Sequence, residues 1–148
     1  LGPDHAGMPV LPDHMDNIEA ADAGHPYRLV TAPARRFLNT TFTETPTSQM
    51  KEGRPTAFIH PDDCGELGLE DGGRVRIGNG RGDVVVHVRP FDGLQKGVVV
   101  VESIWPNKSF EEGLGINALT GADPAPPAGG AAFHDTAVWL RREPGPGS

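Results

Sequence analysis

Cysteine is almost absent from this chain: Cys64 is the only one in 148 residues. A single cysteine excludes an internal disulfide and any metal site built from several thiolates. Apolar residues reach only 36%, and that low share beside 20 glycines and 15 prolines fits a loop-rich β domain better than a helical bundle. Long apolar runs are missing too, and none approaches the ~20 residues of a membrane-crossing helix. Positive charge is also short. Lys and Arg number 13 against 20 Asp and Glu, a formal charge of −7, and no basic stripe is present, which argues against a nucleic-acid binder. What the chain has in abundance is turn chemistry, with 20 glycines and 15 prolines. Its length is enough for one domain with a sizeable core.

The stretch from Thr56 to Ser103 organises the rest. Thr56-Ala57-Phe58-Ile59 is a short apolar strand that turns at His60-Pro61. A brief helix is expected over 61–67, because Pro61 suits its first position and Asp62 and Asp63 complement its N-terminal dipole. Gly68 suits the left-handed residue that ends it. Arg74-Val75-Arg76-Ile77 alternates, so Val75 and Ile77 face inward while Arg74 and Arg76 face water. The glycines at 78, 80 and 82 predict a hairpin turn with positive φ. In the next strand, 83–89, Val84, Val86 and Val88 form one face and Val85, His87 and Arg89 the other. A last strand of this unit covers 97–102.

The flanks are less regular. Residues 1–26 read as an extended N-terminal arm or linker, in which Asp13 to Ala23 carries a weak helical pattern. The β domain proper is expected over 27–142, with a flexible tail over 143–148. Strands are expected at 27–31 and 136–140. Thr43 to Pro55 reads as a polar loop, Trp105 to Gly115 as irregular, and Gly121 to Ala132 as a Pro/Gly/Ala-rich loop. The chain begins at Leu1 without a signal-peptide pattern, and is expected to have been cut from something longer or processed.

Isolated chemistries find little support. The six histidines are scattered, with no H-x-x-x-H or C-x-x-C spacing, so surface or turn roles are the default. No G-x-S-x-G elbow supports a serine hydrolase. Gly78-x-Gly80-x-Gly82 lacks G-x-G-x-x-G spacing and runs into a strand, so it reads as a hairpin and not a phosphate loop. Cys64 follows two carboxylates that disfavour its thiolate, which makes it a packing residue rather than a nucleophile.

One resemblance emerges from order and spacing. Leu29-Val30-Thr31-Ala32-Pro33, Phe37-Leu38-Asn39-Thr40-Thr41-Phe42, Ile59-His60-Pro61-Asp62-Asp63 and Leu67-Gly68-Leu69 with Asp71-Gly72 come first. Arg81-Gly82, Gly97-Val98-Val99-Val100, Trp105, Asn117-Ala118-Leu119-Thr120 and Phe133-His134-Asp135-Thr136 follow in the same order. Together, over about residues 27–141, they resemble the C-terminal domain of the molybdopterin oxidoreductase, or dimethyl sulfoxide reductase, superfamily, which includes formate dehydrogenases. Cys64 stands where that family commonly has alanine.

The resemblance implies a mainly β fold, a six-stranded double-psi β-barrel of the aspartate-decarboxylase-like type with short helices. It implies a domain of a molybdopterin-dependent oxidoreductase that contacts the pterin of bis-(molybdopterin guanine dinucleotide), carrying molybdenum or tungsten. The metal ligand and any iron–sulfur cysteines would lie in preceding domains of the same large subunit, so the isolated chain is expected neither to turn over nor to retain molybdenum. Asn39, Thr40, Thr41, Trp105, Asn117 and Thr120 are the implied cofactor contacts, with no catalytic or metal-ligating residue in the chain. An Asn amide matches the paired donors and acceptors of a pterin edge, and Trp105 offers a flat wall. The alternative is a free-standing double-psi barrel used for binding or structure, in which these residues cap turns and fill the barrel mouth. A cytoplasmic location, with no nucleic-acid partner and no membrane span, completes the expectation.

Overall fold

The computed structural model describes residues 11, 14, 16–37, 41–102, 104–126 and 129–145. In chain order the elements are β1 (Tyr27–Ala32), α1 (Pro46–Glu52), β2 (Thr56–Ile59), α2 (Pro61–Leu67), β3 (Arg74–Gly78), β4 (Asp83–Pro90) and β5 (Val98–Glu102). The two-residue strands β6 (Pro124–Ala125) and β7 (Gly130–Ala131) and the long β8 (Thr136–Glu143) complete them. Six strands close a barrel in the order β1-β5-β2-β4-β3-β8, while β6 and β7 pair separately. Two pairs in the barrel are parallel, β1 with β5 and β2 with β4, and the other four are antiparallel. This is the closed double-psi type of barrel expected from the sequence.

Alternation builds the wall. Val75 and Ile77 of β3, Val84, Val86 and Val88 of β4, and Val99 and Val101 of β5 are each at most 2% exposed. Leu29, Ala57, Ile59 and Val138 join them in one core. Burying an aliphatic side chain of this size contributes about 1.5–3 kcal/mol, so these positions carry the fold. Val85 faces away from its neighbours in β4 yet is also buried; β4 packs in addition against the 3-10 turn Ile116–Leu119.

The helix α2 follows its sequence signals. His60 is the N-cap, its Nδ1 accepting from the Asp62 amide at 3.1 Å, and Pro61 opens the helix. Gly68 ends it in the left-handed region at φ 63°, donating its amide to the Cys64 and Gly65 carbonyls. Asp63 is buried and accepts from the Gly97 amide at 2.7 Å, which fastens α2 to the lead-in of β5. Cys64 is 4% exposed, and burial, followed by the charges of Asp63 and Asp71, pushes its thiol pKa up. That is the environment of a packing residue.

Four expectations about local structure need correction. The polar stretch 43–55 contains α1, which ends at the positive-φ Gly53 and buries no residue; without a buried face it has no apolar period to read. Part of the 121–132 loop forms the β6–β7 hairpin. No described residue of 13–23 is helical; Asp22 Oδ1 instead accepts from the Gly24 and His25 amides, both at 2.7 Å, a local turn that competes with helix. Finally, the glycines at 78, 80 and 82 are not among those with positive φ. Gly78 is required for another reason: it pairs across the sheet with Trp139, and a Cβ there would overlap the indole ring.

Candidate functional site

Two stretches outside the barrel wall meet beside it. Residues 104–107 follow β5 and its neighbour 103, and residues 115–117 open the 3-10 turn. With Thr43 they enclose a cavity of about 200 Å³ lined by Ile104, Trp105, Pro106, Asn107, Gly115, Ile116 and Asn117. Trp105 forms its firm wall. It is 9% exposed, belongs to the core, and meets Phe37 edge-on with ring centroids 4.8 Å apart. The anchoring is apolar, which leaves one side of the indole for the cavity.

The turn that carries Asn117 is held from both sides. Ile116 and Leu119 are buried against the barrel, while Asn117 is exposed. The backbone closes with Ala118 donating to the Gly115 carbonyl at 3.0 Å and Thr120 to the Asn117 carbonyl at 3.3 Å. The Thr120 hydroxyl donates to the same carbonyl at 3.0 Å. Thr120 therefore closes the turn and does not line the cavity. The side-chain amide of Asn117 bonds to no other described residue. An exposed amide on a pinned turn keeps two donors and an acceptor available for a ligand.

The implied site residues divide. Trp105 and Asn117 come together at one cavity. Thr41 is exposed and adjacent to that region without lining it; Thr43, two residues on, is buried and lines it. Between them Phe42 sits in the left-handed region at φ 68°, 55% exposed, a conformation that costs a bulky residue energy and points to a local constraint. Asn39 and Thr40 lie outside the described residues. Asn107 is a lining residue that sequence reasoning missed, since Pro106-Asn107 reads as a chain breaker. Its Oδ1 lies so close to Gly115 that a Cβ there would collide with it.

Charge is placed just beyond Trp105. A second, smaller depression of about 90 Å³ is lined by Trp105 together with Lys51, Arg54, Arg89, Glu52 and Glu102. Arg89 lies over the Phe58 ring at 5.6 Å and Arg54 donates to the Gly72 carbonyl at 3.3 Å. Helix α1 thus brings a cation, Lys51, to a depression that Trp105 also lines. Among the described residues no group of three His, Cys, Asp or Glu side chains forms a metal site, and no helix is long and apolar enough to cross a membrane.

The Arg74 and Arg76 side chains, expected to face water, instead hold the segment that leads to the cavity. Arg74 binds both carboxylate oxygens of Glu111 and the Pro144 carbonyl. Arg76 reaches Asp83, Glu112 at 2.7 Å and Glu143 at 2.9 Å. The hydrogen bonds from Arg76 hold the Glu112 and Glu143 carboxyls below the usual range, and those carboxylates raise Arg76 in return. A lone arginine on a strand reads as solvent-facing; its partners at 111, 112 and 143 are distant in the chain.

Known proteins share this architecture. Acetylene hydratase from Pelobacter acetylenicus superposes with a TM-score of 0.68 at 14% identity, over 80% of this chain and 18% of that one, and so shares the fold. The probable oxidoreductase YoaE of Bacillus subtilis (strain 168) is 32% identical over 136 residues, 92% of this chain and 20% of the relative. The dimethyl sulfoxide reductase DmsA of Escherichia coli (strain K12) is 32% identical over 93 residues, 60% of this chain and 11% of the relative. The chain therefore spans a fifth or less of the length of these curated relatives. The family described as the molydopterin dinucleotide binding domain matches residues 27–137, and this chain belongs to that family.

Proposed function

We propose that this barrel closes over the pterin of bis-(molybdopterin guanine dinucleotide) as the C-terminal domain of a larger molybdopterin-dependent oxidoreductase. The observation that carries the reading is the placement of Asn117: an exposed amide, unpartnered among the described residues, on a turn anchored by Ile116 and Leu119, at a cavity walled by Trp105. The donor set suits the group. Asn117 and Asn107 offer both halves of an amide to a pterin edge. Trp105 offers a flat apolar face. Lys51, Arg54 and Arg89 line a depression that shares Trp105, where three cations against the carboxylates of Glu52 and Glu102 leave a small positive excess for an anionic dinucleotide. Asn39, Thr40 and Thr41, which the family resemblance implies, complete the proposed contact set. When bound, the cofactor supplies the metal redox chemistry, and this chain's part is to hold, orient and cover it.

Ile104 lines the cavity and is exposed, and Leu114 and Phe42, next in sequence to the lining Gly115 and Thr43, are exposed as well. Exposed apolar side chains there suit contact with preceding domains of the same subunit. The relatives that match are five or more times longer than the region they share.

The test uses the full-length polypeptide. Asn117→Ala removes an amide from the cofactor contact at a cost of about 1–3 kcal/mol. Cofactor affinity falls by roughly 5- to 140-fold, read as molybdenum and pterin content after dilution, with a melt to confirm folding. Full occupancy in a folded Asn117→Ala protein overturns the assignment.

A further inference from the structure

The turn carrying Asn117 ends at a carbonyl that receives unusual attention. The Leu119 carbonyl oxygen accepts from Asn79 Nδ2 at 2.8 Å and from Arg81 Nε at 2.8 Å. Both donors sit on the tip of the β3–β4 hairpin, where Asn79 Oδ1 also accepts from the Arg81 amide at 2.9 Å. The carbonyl has two lone pairs, and both are used. The other end of the Arg81 guanidinium reaches Glu19 Oε1 at 2.5 Å. Glu19 Oε2 in turn accepts from the Ala137 amide of β8 at 3.0 Å. A single connected path thus joins residues 137, 19, 81 and 119, four segments that are remote in sequence. Its member Glu19 lies ahead of residue 27, outside the region that the family description matches.

We propose that Glu19 and Arg81 form a latch through which the N-terminal arm positions the Asn117 turn. Arg81 is a positioning residue: it touches Leu119, two residues from Asn117, and not the cavity. Only a planar guanidinium serves both directions at once, donating through Nε to the carbonyl and through a terminal nitrogen to the carboxylate. Glu19 aligns that fork and is itself fixed by the β8 amide. The arm is the part of the chain through which any preceding domain would pull on the barrel. A displacement of the arm is therefore transmitted to the turn that faces the cofactor. The cofactor part of this inference rests on the role assigned to Asn117 above.

Amide hydrogen exchange separates the two. In the full-length polypeptide, Arg81→Ala is expected to speed exchange of the Ala118 and Thr120 amides, which close the turn, by about five- to tenfold. Glu19→Ala gives a smaller rise, and the double variant is no worse than Arg81→Ala alone because both act on one path. Exchange in β4 and β5 stays unchanged and serves as the folding control, with Arg81→Gln as a second variant. Molybdenum and pterin retention on dilution falls in step with exchange at the turn. Unchanged exchange at 118 and 120 in folded Arg81 variants, or fully additive effects of the two substitutions, overturns the latch. Faster exchange with unchanged cofactor retention keeps the latch and overturns the role of Asn117.

Discussion

The inner and outer faces of the β3–β4 hairpin hold two different structures together by two different kinds of force. On the inner face Val75, Ile77, Val84, Val86 and Val88 bury their side chains in the barrel core. On the outer side Arg74 and Arg76, with Asn79 and Arg81 at the tip, bind Glu111, Glu112 and the Leu119 carbonyl. The first set defines the wall; the second ties down the 107–119 segment that helps form the candidate site. Apolar burial is non-directional and, unlike an ion pair, is not screened by added salt. The polar ties are directional, partly exposed and screened by ions. The barrel can therefore stay intact while the segment at its side loosens, which separates stability from site geometry along one pair of strands.

The largest effect is expected on the inner face. Ile77→Ala removes a fully buried side chain and is expected to cost about 2–5 kcal/mol through lost burial and the cavity left behind. A urea titration reads this as an earlier midpoint, with the loss equal at low and high salt. A loss that shrinks as salt rises would show that the inner face depends on charge after all.

A smaller effect is expected on the outer face. Arg76→Met keeps the aliphatic bulk but leaves Asp83, Glu112 and Glu143 without their shared cation. The Arg76 side chain is 23% exposed, so the loss is about 1–2 kcal/mol at low ionic strength. Most of it should vanish at molar salt. Proteolysis or exchange within 107–115 should increase while the strands stay protected. Equal loosening of strands and segment would refute the division of labour.

The smallest effect is the response to acid, and its sign follows from the pKa directions. Burial, and next the charge of Arg54, lower the pKa of His87 from the ordinary 6.5. The unfolded chain then binds a proton that the folded chain refuses, so stability falls as pH drops below 6.5. Glu112 and Glu143 are lowered from 4.5 by their hydrogen bonds to Arg76, so their contribution is present above 4.5 and is lost as pH falls through their folded values. Melting temperatures from pH 8 to pH 3 should decline in two stages. His87→Gln should remove the upper stage and Arg76→Met should weaken the lower one; a profile unchanged by both would sink the assignment.

Much of the wall was legible. Strands at 74–77 and 83–89 and the helix at 61–67 are read from alternation, Pro61 and Gly68, all of which act within a few residues. The structure extends β3 to Gly78, β4 to Pro90 and β8 to Glu143. Helix α1 escaped because it buries nothing, and the hairpin glycines were assigned the wrong reason because the Trp139 ring that needs Gly78 comes from β8. At the candidate site, Trp105 and Asn117 are visible only through family resemblance. Their meeting at one cavity, with Asn107 and Thr43, is not visible at all from spacing.

By itself, then, the sequence determined what is periodic and local: the strand faces, the single short capped helix of the central unit, the lone cysteine that excludes a disulfide within these residues, and the family to which residues 27–137 belong. Tertiary structure alone decided which distant groups share charge and hydrogen bonds. Arg76 meets Glu143 across β3 and β8, Arg81 meets Glu19 and the Leu119 carbonyl, and Asn117 meets Trp105 at a common cavity. The physical reason is that burial follows from each residue's own chemistry and its place in a strand's two-residue repeat, whereas an ion pair or a cavity exists only once barrel closure has brought its members within a few ångströms.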